Sequence, residues 1–157
     1  YLGKYLKHSY LKNPIVYCGN FALNTVLVYY VQEAENADIK INIDIALPNE
    51  ISIKDADLTV LFGNLIENAI DACENVQKDK RSIELKIHRP NAGSIVFSID
   101  NTFDGNIKMS GNKFLSTKQN GSGIGIESAK YVVEKYNGDM KIEINDNKFC
   151  VSGVLLQ

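Results

Sequence analysis

The sequence predicts an α+β fold, a two-layer α/β sandwich in which helices cover one face of a mixed, mostly antiparallel sheet. Segments with helical spacing of apolar residues and segments with strict alternation follow one another along 157 residues, the size of one domain. Most of the alternating segments come in neighbouring pairs joined by short turns, which is typical of antiparallel hairpins. A composition of 45% hydrophobic and 23% charged residues fits a globular protein with one buried core.

The first half of the chain predicts two helices on either side of a strand. Apolar side chains recur at helical spacing over residues 20–35. Over residues 39–46 four isoleucines alternate with polar residues, which predicts a half-buried strand. Pro48 and Asn49 follow as a turn, and residues 56–77 form a long helix.

The second half begins with a hairpin and a long loop. Residues 82–89 and 94–100 both alternate, and the segment between them contains Pro90 and Gly93, which favours a turn. Residues 101–123 are polar and show no periodicity. A loop of that length inside a compact domain is usually a lid or a binding segment.

The chain ends with a helix and a second hairpin. Residues 124–137 have helical spacing, and Gly138 fits as the C-terminal cap of that helix. Residues 139–146 and 148–156 predict two strands around a turn at Asp146 and Asn147.

Charge and composition exclude several classes of function. The net charge is −2, with 17 basic and 19 acidic residues, so binding of nucleic acid through bulk positive charge is not expected. No apolar run reaches the roughly 20 residues that a membrane helix needs. The three cysteines (Cys18, Cys73 and Cys150) do not make a disulfide framework, which favours a reducing compartment. Two separate histidines are too few for a typical zinc site.

The N-terminal segment predicts a boundary. Residues 1–13 are rich in Tyr, Leu and Lys and are typical of a helix end or a linker, which Pro14 would break. The first residue is Tyr1 and not Met, so we expect a fragment of a longer protein. The expected organisation is a tail over residues 1–17 and one domain over residues 18–157.

The long helix carries a polar row that ordinary solvation does not explain. Asn64, Asn68, Asp71 and Asn75 follow at spacings of four, three and four, so they lie along one face. A solvated face favours Lys, Glu, Gln or Arg, because Asn is the poorer helix former by several tenths of a kcal/mol. An amide oxygen can coordinate a hard cation without adding charge, and an Asp can accept hydrogen bonds from a base or a water. The row therefore indicates a binding face.

Alternating glycines mark the start of the last helix. Gly121, Gly123 and Gly125 let backbone N–H groups come close to a ligand, and the helix N-terminus adds unpaired donors and a positive dipole end. This arrangement suits a phosphate, which Lys118 can also reach. The spacing matches neither a P-loop nor a dinucleotide-binding fingerprint. Taken alone, it is equally typical of a flexible linker.

The two motifs together resemble those of the GHKL ATPases, the superfamily of gyrase, Hsp90, MutL and the histidine kinases. The segment from Asn64 to Asp71 resembles their N box, residues 121–126 resemble their second glycine box, and residues 114–118 resemble their nucleotide lid. The resemblance covers roughly residues 18–157 and implies the Bergerat fold. It is nearest to the ATP-binding catalytic domain of sensor histidine kinases, in the peptide-pheromone (quorum-sensing) subgroup of Gram-positive bacteria.

The resemblance implies a role for each matching residue. Asn68 would coordinate the Mg²⁺ that bridges the triphosphate of ATP, and Asn64 would support the metal or the phosphates one turn earlier. Lys118 would assist from the lid. The remaining nucleotide contacts would come from Asp71 on the N box and from the lid and the glycine-headed helix: Thr117, Gly121, Gly123, Ile124 and Gly125.

The first glycine box departs from the family pattern. Family members have an Asp there that pairs with the adenine amino group, whereas here the segment reads Asp100-Asn101-Thr-Phe-Asp-Gly105. Asn101 takes the Asp position if the strands are aligned, and Asp100 takes it if the register slips by one. Alternation favours Asn101, because Ile95, Phe97 and Ile99 then share its face. A neutral Asn accepts more weakly than a carboxylate, so modest nucleotide affinity is expected.

A second departure concerns the chemistry. ATP-hydrolysing relatives carry Glu where Asn64 stands, and an amide cannot activate water as a carboxylate can. Asn64 thus favours a phosphoryl transferase whose acceptor brings its own nucleophile. Glu67 is a candidate acid/base helper, and an exposed helix charge is the equally good alternative.

By resemblance, the acceptor is a histidine on a dimerisation helix outside this sequence. His8 lacks the acidic residue that normally follows such a histidine, and His88 lies on a predicted strand, so both are interpreted as incidental. The implied partners are ATP, the protein's own phosphoacceptor helices in a full-length homodimer, and a response regulator. The fragment is expected to be soluble and to lie on the cytoplasmic side of a membrane-bound sensor.

Two other functions stay open at this point. A degenerate first glycine box is compatible with a GHKL module that has lost ATP and acts in protein interaction. A GHKL serine kinase of the anti-sigma-factor kind shares the same motifs, whereas an ATP-driven clamp needs the missing Glu.

Overall fold

The structure is a computed structural model that describes residues 15–110, 113–115 and 124–157. For residues 108–110, 113–115 and 124 it describes the backbone only. Within these ranges a helix, a strand and a second helix are followed by four strands, a third helix and two last strands. The α-helices in the described residues are α1 (Phe21–Asn36), α2 (Asp55–Glu74) and α3 (Ile124–Lys135). The strands in the same part of the chain are β1 (Lys40–Ala46), β2 (Ser82–Asn91), β3 (Ser94–Thr102), β4 (Lys108–Ser110), β5 (Lys113–Leu115), β6 (Asp139–Asn145) and β7 (Lys148–Leu156).

Five of the strands form the main sheet, in the order β1-β2-β3-β7-β6. The pairs β2–β3, β3–β7 and β6–β7 are antiparallel, and β1 runs parallel to β2. The parallel pair is connected through α2, because parallel neighbours need a crossover, whereas the two hairpins need only short turns. The expected mixed, mostly antiparallel sheet is confirmed.

The core lies between the sheet and the helices. On β2, β3 and β7 alternate residues are buried, and the same apolar set packs with the inner faces of the helices. Phe62 of α2 meets Phe97 of β3 edge to face, with ring centroids 5.6 Å apart. The opposite face of the sheet is polar: His88, for example, lies 3.0 Å from Asp44 across β1 and β2. The two-layer sandwich is therefore confirmed, with its helices on one face.

Side chains and turns fix the ends of the helices. Asn20 caps α1 by accepting a hydrogen bond from the N–H of Leu23 at 2.9 Å. Arg81 donates to three backbone carbonyls near the C-terminal ends of α1 and α2, those of Ala37 (2.6 Å), Glu74 (2.9 Å) and Val76 (2.9 Å). These carbonyls have no partner within their own helices, so one guanidinium ties both helix ends to the start of β2.

The C-terminal cap of α3 corrects one prediction. Asn137, not Gly138, adopts the left-handed conformation, with φ of 51°. The N–H of Gly138 donates to Val133 and that of Asn137 to Glu134, which is a Schellman motif. Gly138 is needed for a different reason: a β-carbon there would overlap the carbonyl oxygen of Val154.

The segment expected to be one irregular loop also contains structure. Residues 108–110 and 113–115 pair as a short antiparallel ribbon, separate from the main sheet. The ribbon was missed because three-residue strands show too little alternation to detect. Of the tail expected over residues 1–17, residues 1–14 lie outside the described residues.

Candidate nucleotide-binding site

Helix α2 divides into an apolar face and a polar row, as its sequence predicts. Leu61, Leu65, Ile66, Ala69, Ile70 and Cys73 are all buried against the core. In the polar row, Asn64, Asn68 and Asp71 are half-buried, and Asn75 is exposed. The first three of these side chains thus line a partly enclosed surface instead of projecting freely into solvent. Glu67 is exposed beside them.

The N-terminal turn of α3 lies directly against this row. A β-carbon placed on Gly125 would be 3.4 Å from Oδ1 of Asn64 and 3.8 Å from its backbone oxygen. Nδ2 of Asn64 donates to the carbonyl of Val60 at 2.7 Å, which orients the amide. The start of α3 therefore lies within van der Waals reach of the asparagine helix at this position. The structure brings Asn64 and Gly125 together, as the two motifs require.

At their other ends, α2 and α3 are joined by a polar clamp. Lys135 donates to Oδ2 of Asp57 at 2.8 Å, and the hydroxyl of Tyr136 donates to the same oxygen. That hydroxyl in turn accepts from the N–H of Lys54 at 3.1 Å. The hydrogen bond from Lys135, and then that from Tyr136, hold the pKa of Asp57 below its usual range. The clamp fixes how α3 lies along α2 and thus where its N-terminus points.

Asn101 lies near the end of β3, on the side that faces the helices. Its side chain is 2% exposed, and it shares its face with the buried Ile95, Phe97 and Ile99. Asp100 faces the other way, toward Cys150, where burial and then the hydrogen bond with Asp100 raise the pKa of that thiol. The predicted placement of Asn101 on the inner face is confirmed, and Asp100 is excluded from that face. Its contact with adenine stays a prediction.

Sequence reasoning missed two residues beside Asn101. Cys73 of α2 and Thr102 of β3 are both buried, and their side chains are 3.6 Å apart. Burial is the larger effect on the Cys73 thiol and raises its pKa. The polar Asn101-Thr102 pair at the end of a strand of isoleucines and phenylalanine is the signal that could have indicated Thr102, and no such signal marks Cys73.

Several predicted site residues lie outside the described part of the chain. These are Thr117, Lys118, Gly121 and Gly123. Ile124 begins α3, and only its backbone is described. Of the sites predicted from sequence, the structure thus places the N box, the inner strand and the start of α3.

The sequence pattern of the GHKL domain matches residues 53–157, which is about two thirds of the chain. The chain belongs to the GHKL family. The match begins just before α2 and contains every candidate site residue named above. No curated protein matches the chain in sequence.

Solved histidine kinase domains share the fold of this GHKL domain. The nucleotide-free catalytic domain of histidine kinase ThkA superposes with a TM-score of 0.66 at 18% identity, over 86% of this chain and 90% of that one. The mycobacterial sensor histidine kinase MprB gives a TM-score of 0.63 at 14% identity, over 86% of this chain and 93% of that one. The Acinetobacter baumannii histidine kinase AdeS superposes with a TM-score of 0.64 at 12% identity, over 86% of this chain and 62% of that one. At these identities the likeness establishes the fold.

The side chains of the GHKL domain fit a magnesium ion only if the nucleotide supplies most of its ligands. In the described ranges, no group of three or more His, Cys, Asp or Glu side chains is placed to hold a metal. Mg²⁺ is commonly bound through one or two protein oxygens together with phosphates and waters. The half-buried amide of Asn68 on the polar row suits that role.

No described helix of the domain is long and apolar enough to cross a bilayer.

Proposed function

We propose that this domain binds Mg·ATP and transfers the γ-phosphoryl group to a histidine on a dimerisation helix outside the given sequence. Membership of the GHKL family supports ATP as the ligand. The observation that carries the proposal is the contact between the two motifs: Gly125, at the start of α3, lies against Asn64 on the polar row of α2. The phosphates would lie where the two helices meet.

The arrangement of α2 gives the nucleotide a direction. Asn64 and Cys73 are nine residues apart, which is about 14 Å along a helix. Gly125 lies at the Asn64 end, and the inner-face residue Asn101 belongs to the strand that meets Cys73. A nucleotide lying along the polar row would therefore place its phosphates at the α3 N-terminus and its base beside Asn101.

Positioning and charge neutralisation are the chemistry that phosphoryl transfer requires. Bound Mg²⁺ would neutralise charge on the phosphates, with Asn68 supplying an amide oxygen to hold it. Unpaired N–H groups at the start of α3 would donate to phosphate oxygens in an orientation set by the clamp at the far end. Asn64 cannot remove a proton from water, so the site favours a nucleophilic acceptor over hydrolysis. Lys118 would assist from the lid, and Glu67 is retained as an acid/base candidate.

Binding is tested by calorimetric titration with a non-hydrolysable ATP analogue, with and without Mg²⁺. We expect Mg²⁺-dependent binding that Asn68→Ala abolishes. Asn75→Ala is the matched control, because Asn75 continues the same row but is exposed beyond the last turn of α2, and it should bind as the parent does. Binding that is absent at millimolar nucleotide would favour the alternative of an interaction module.

The acceptor is tested on the full-length protein with γ-labelled ATP. A phosphohistidine is stable in alkali and lost in acid, whereas a phosphoserine shows the opposite behaviour. We expect an acid-labile label that Asn68→Ala prevents, and no label on this fragment alone. An acid-stable label would favour the serine kinase.

The wider setting of the protein is also part of the proposal. The phrases GNLIENAIDA and FLSTKQNGSGIGI support a place among peptide-pheromone sensor kinases. Such a kinase would be a membrane-bound homodimer that passes its phosphoryl group to the Asp of a response regulator.

A further inference from the structure

A small polar cluster is buried where β3 meets α2. Among the described residues, Asn101 and Thr102 are the polar residues that are buried, at 2% and 6% exposure. Cys73 is fully buried beside them. Because a buried polar group is costly unless it is hydrogen-bonded, each partner in this cluster constrains the others.

The backbone carbonyl of Thr102 is the centre of the cluster. It accepts from Nδ2 of Asn101 at 3.0 Å and from Sγ of Cys73 at 3.4 Å. The hydroxyl of Thr102 accepts from the N–H of Ser82 at 3.0 Å. The thiol of Cys73 also lies 3.5 Å from the carbonyl of Ser82. The Cys73 thiol and the Thr102 hydroxyl thereby hold residue 102, and with it the carbonyl that Asn101 bonds to, between α2 and β2.

This carbonyl determines whether the nitrogen or the oxygen of the Asn101 side-chain amide faces Thr102. If the amide were reversed, Oδ1 would face the carbonyl oxygen at about 3 Å, and two acceptors would oppose each other. The hydrogen-bond network therefore selects Nδ2 toward Thr102. In the described part of the chain this is the hydrogen bond that the Asn101 side chain makes, so Oδ1 is the end available to a ligand.

We propose that Cys73 and Thr102 are positioning residues that make Asn101 selective for a purine carrying an amino group. This inference rests on the proposed function, in which the base of ATP lies against Asn101. A freely rotating Asn can accept from an amino group or donate to a carbonyl, so it distinguishes the two poorly. An Asn whose NH₂ is held by Thr102 presents only an acceptor, which adenine satisfies and an oxo-purine does not.

The test compares the dissociation constants of ATP and inosine triphosphate, which carries a carbonyl where adenine has its amino group. We expect the parent domain to prefer ATP by at least about tenfold, because a mismatched base leaves two acceptors facing each other. Asn101→Ala should remove the preference. Cys73→Ala and Thr102→Val should each reduce the ratio by several-fold, mainly through tighter relative binding of inosine triphosphate.

Two controls separate positioning from a general structural defect. Thr102→Ser keeps the hydroxyl and should retain the ratio, whereas a merely structural loss would weaken both nucleotides by the same factor. Cys150→Ala removes a thiol from the opposite face of the sheet and should change neither constant.

Each remaining outcome decides the matter. Equal affinity of the parent for both nucleotides overturns the inference while leaving ATP binding in place. A ratio that survives both Cys73→Ala and Thr102→Val also overturns it. If neither nucleotide binds, the proposed function itself fails, and the inference fails with it.

Discussion

A methyl group added at Gly125 should weaken nucleotide binding without lowering the stability of the fold. The new β-carbon would lie 3.4 Å from Oδ1 of Asn64 and 3.8 Å from its β-carbon, which are ordinary contact distances. Ala is the better helix former by up to about 1 kcal/mol in a helix interior. We therefore expect Gly125→Ala to leave the melting temperature unchanged or raise it, by up to roughly 2–4 °C.

The same methyl group should weaken nucleotide binding. It occupies the space between the start of α3 and the polar row, where phosphate oxygens would approach the backbone N–H groups. Losing one hydrogen bond to a charged group costs about 1.5–3 kcal/mol, which is roughly a ten- to hundredfold loss of affinity. Gly125→Ala is thus predicted to retain the stability of the parent domain and to bind nucleotide more weakly.

Gly138→Ala is the contrasting variant. Its β-carbon would overlap the carbonyl oxygen of Val154 and lie 3.0 Å from the carbonyl carbon. A backbone carbonyl in β7 cannot rotate away, so the strand end must shift. Forcing extra volume into a packed site costs about 1–3 kcal/mol, or a fall of roughly 2–12 °C. The folded fraction should bind nucleotide normally, because Gly138 lies beyond the opposite end of α3.

Thermal denaturation with and without Mg·ATP measures both effects. Gly125→Ala should melt at or above the parent temperature and gain little from nucleotide. Gly138→Ala should melt lower but keep the nucleotide-induced increase, since a ligand that binds only the folded state raises its stability. The reasoning is refuted if Gly125→Ala is destabilised as strongly as Gly138→Ala, or if it binds nucleotide as tightly as the parent.

Three further predictions concern the clamp, the helix ends and the polar row. The lowered pKa of Asp57 means that its bonds to Lys135 and Tyr136 stabilise the fold above the ordinary carboxyl range and are lost as pH falls through the folded-state pKa. Urea midpoints should therefore fall more below about pH 4 for the parent than for Asp57→Asn. Arg81→Lys cannot keep three carbonyl contacts and should cost about 1–3 kcal/mol in urea unfolding; an unchanged midpoint would contradict it. Asn68→Ala should unfold at equal or slightly higher urea while losing Mg·ATP, and a large destabilisation would make Asn68 structural.

Local periodicity was enough to predict most of the fold. The strands β2 and β3 alternate because one face is buried under helices and the other is polar, so their boundaries were predicted to within two residues. Helix α2 was predicted for the same reason, since its apolar spacing reports the core directly. The N box and the glycine motif were recognised because their spacing on a helix and at a helix start is also local information.

What the sequence could not predict depends on contacts between distant residues. Asp57 and Tyr136 are 79 residues apart, and the sequence around either residue does not indicate that the two form a hydrogen bond. Cys73 was assigned correctly to the apolar face, yet its hydrogen bonds to β3 depend on how α2 packs across the strand. The misassigned cap at Gly138 has the same origin, because the need for glycine there arises from the neighbouring β7.

The division of α2 into two faces explains how one helix can carry both the core and the site. Helices in proteins gain most of their stability from packing of an apolar face and little from intrinsic propensity. The buried face of α2 supplies that packing, so the row from Asn64 to Asp71 can carry oxygen ligands. The loss of helix propensity for each such residue is only a few tenths of a kcal/mol. Asn101 has no such freedom, because it lies inside the core layer and its amide must be satisfied there. That is why the polar row could be recognised from sequence alone, whereas the residues that hold Asn101 in place emerged only from the structure.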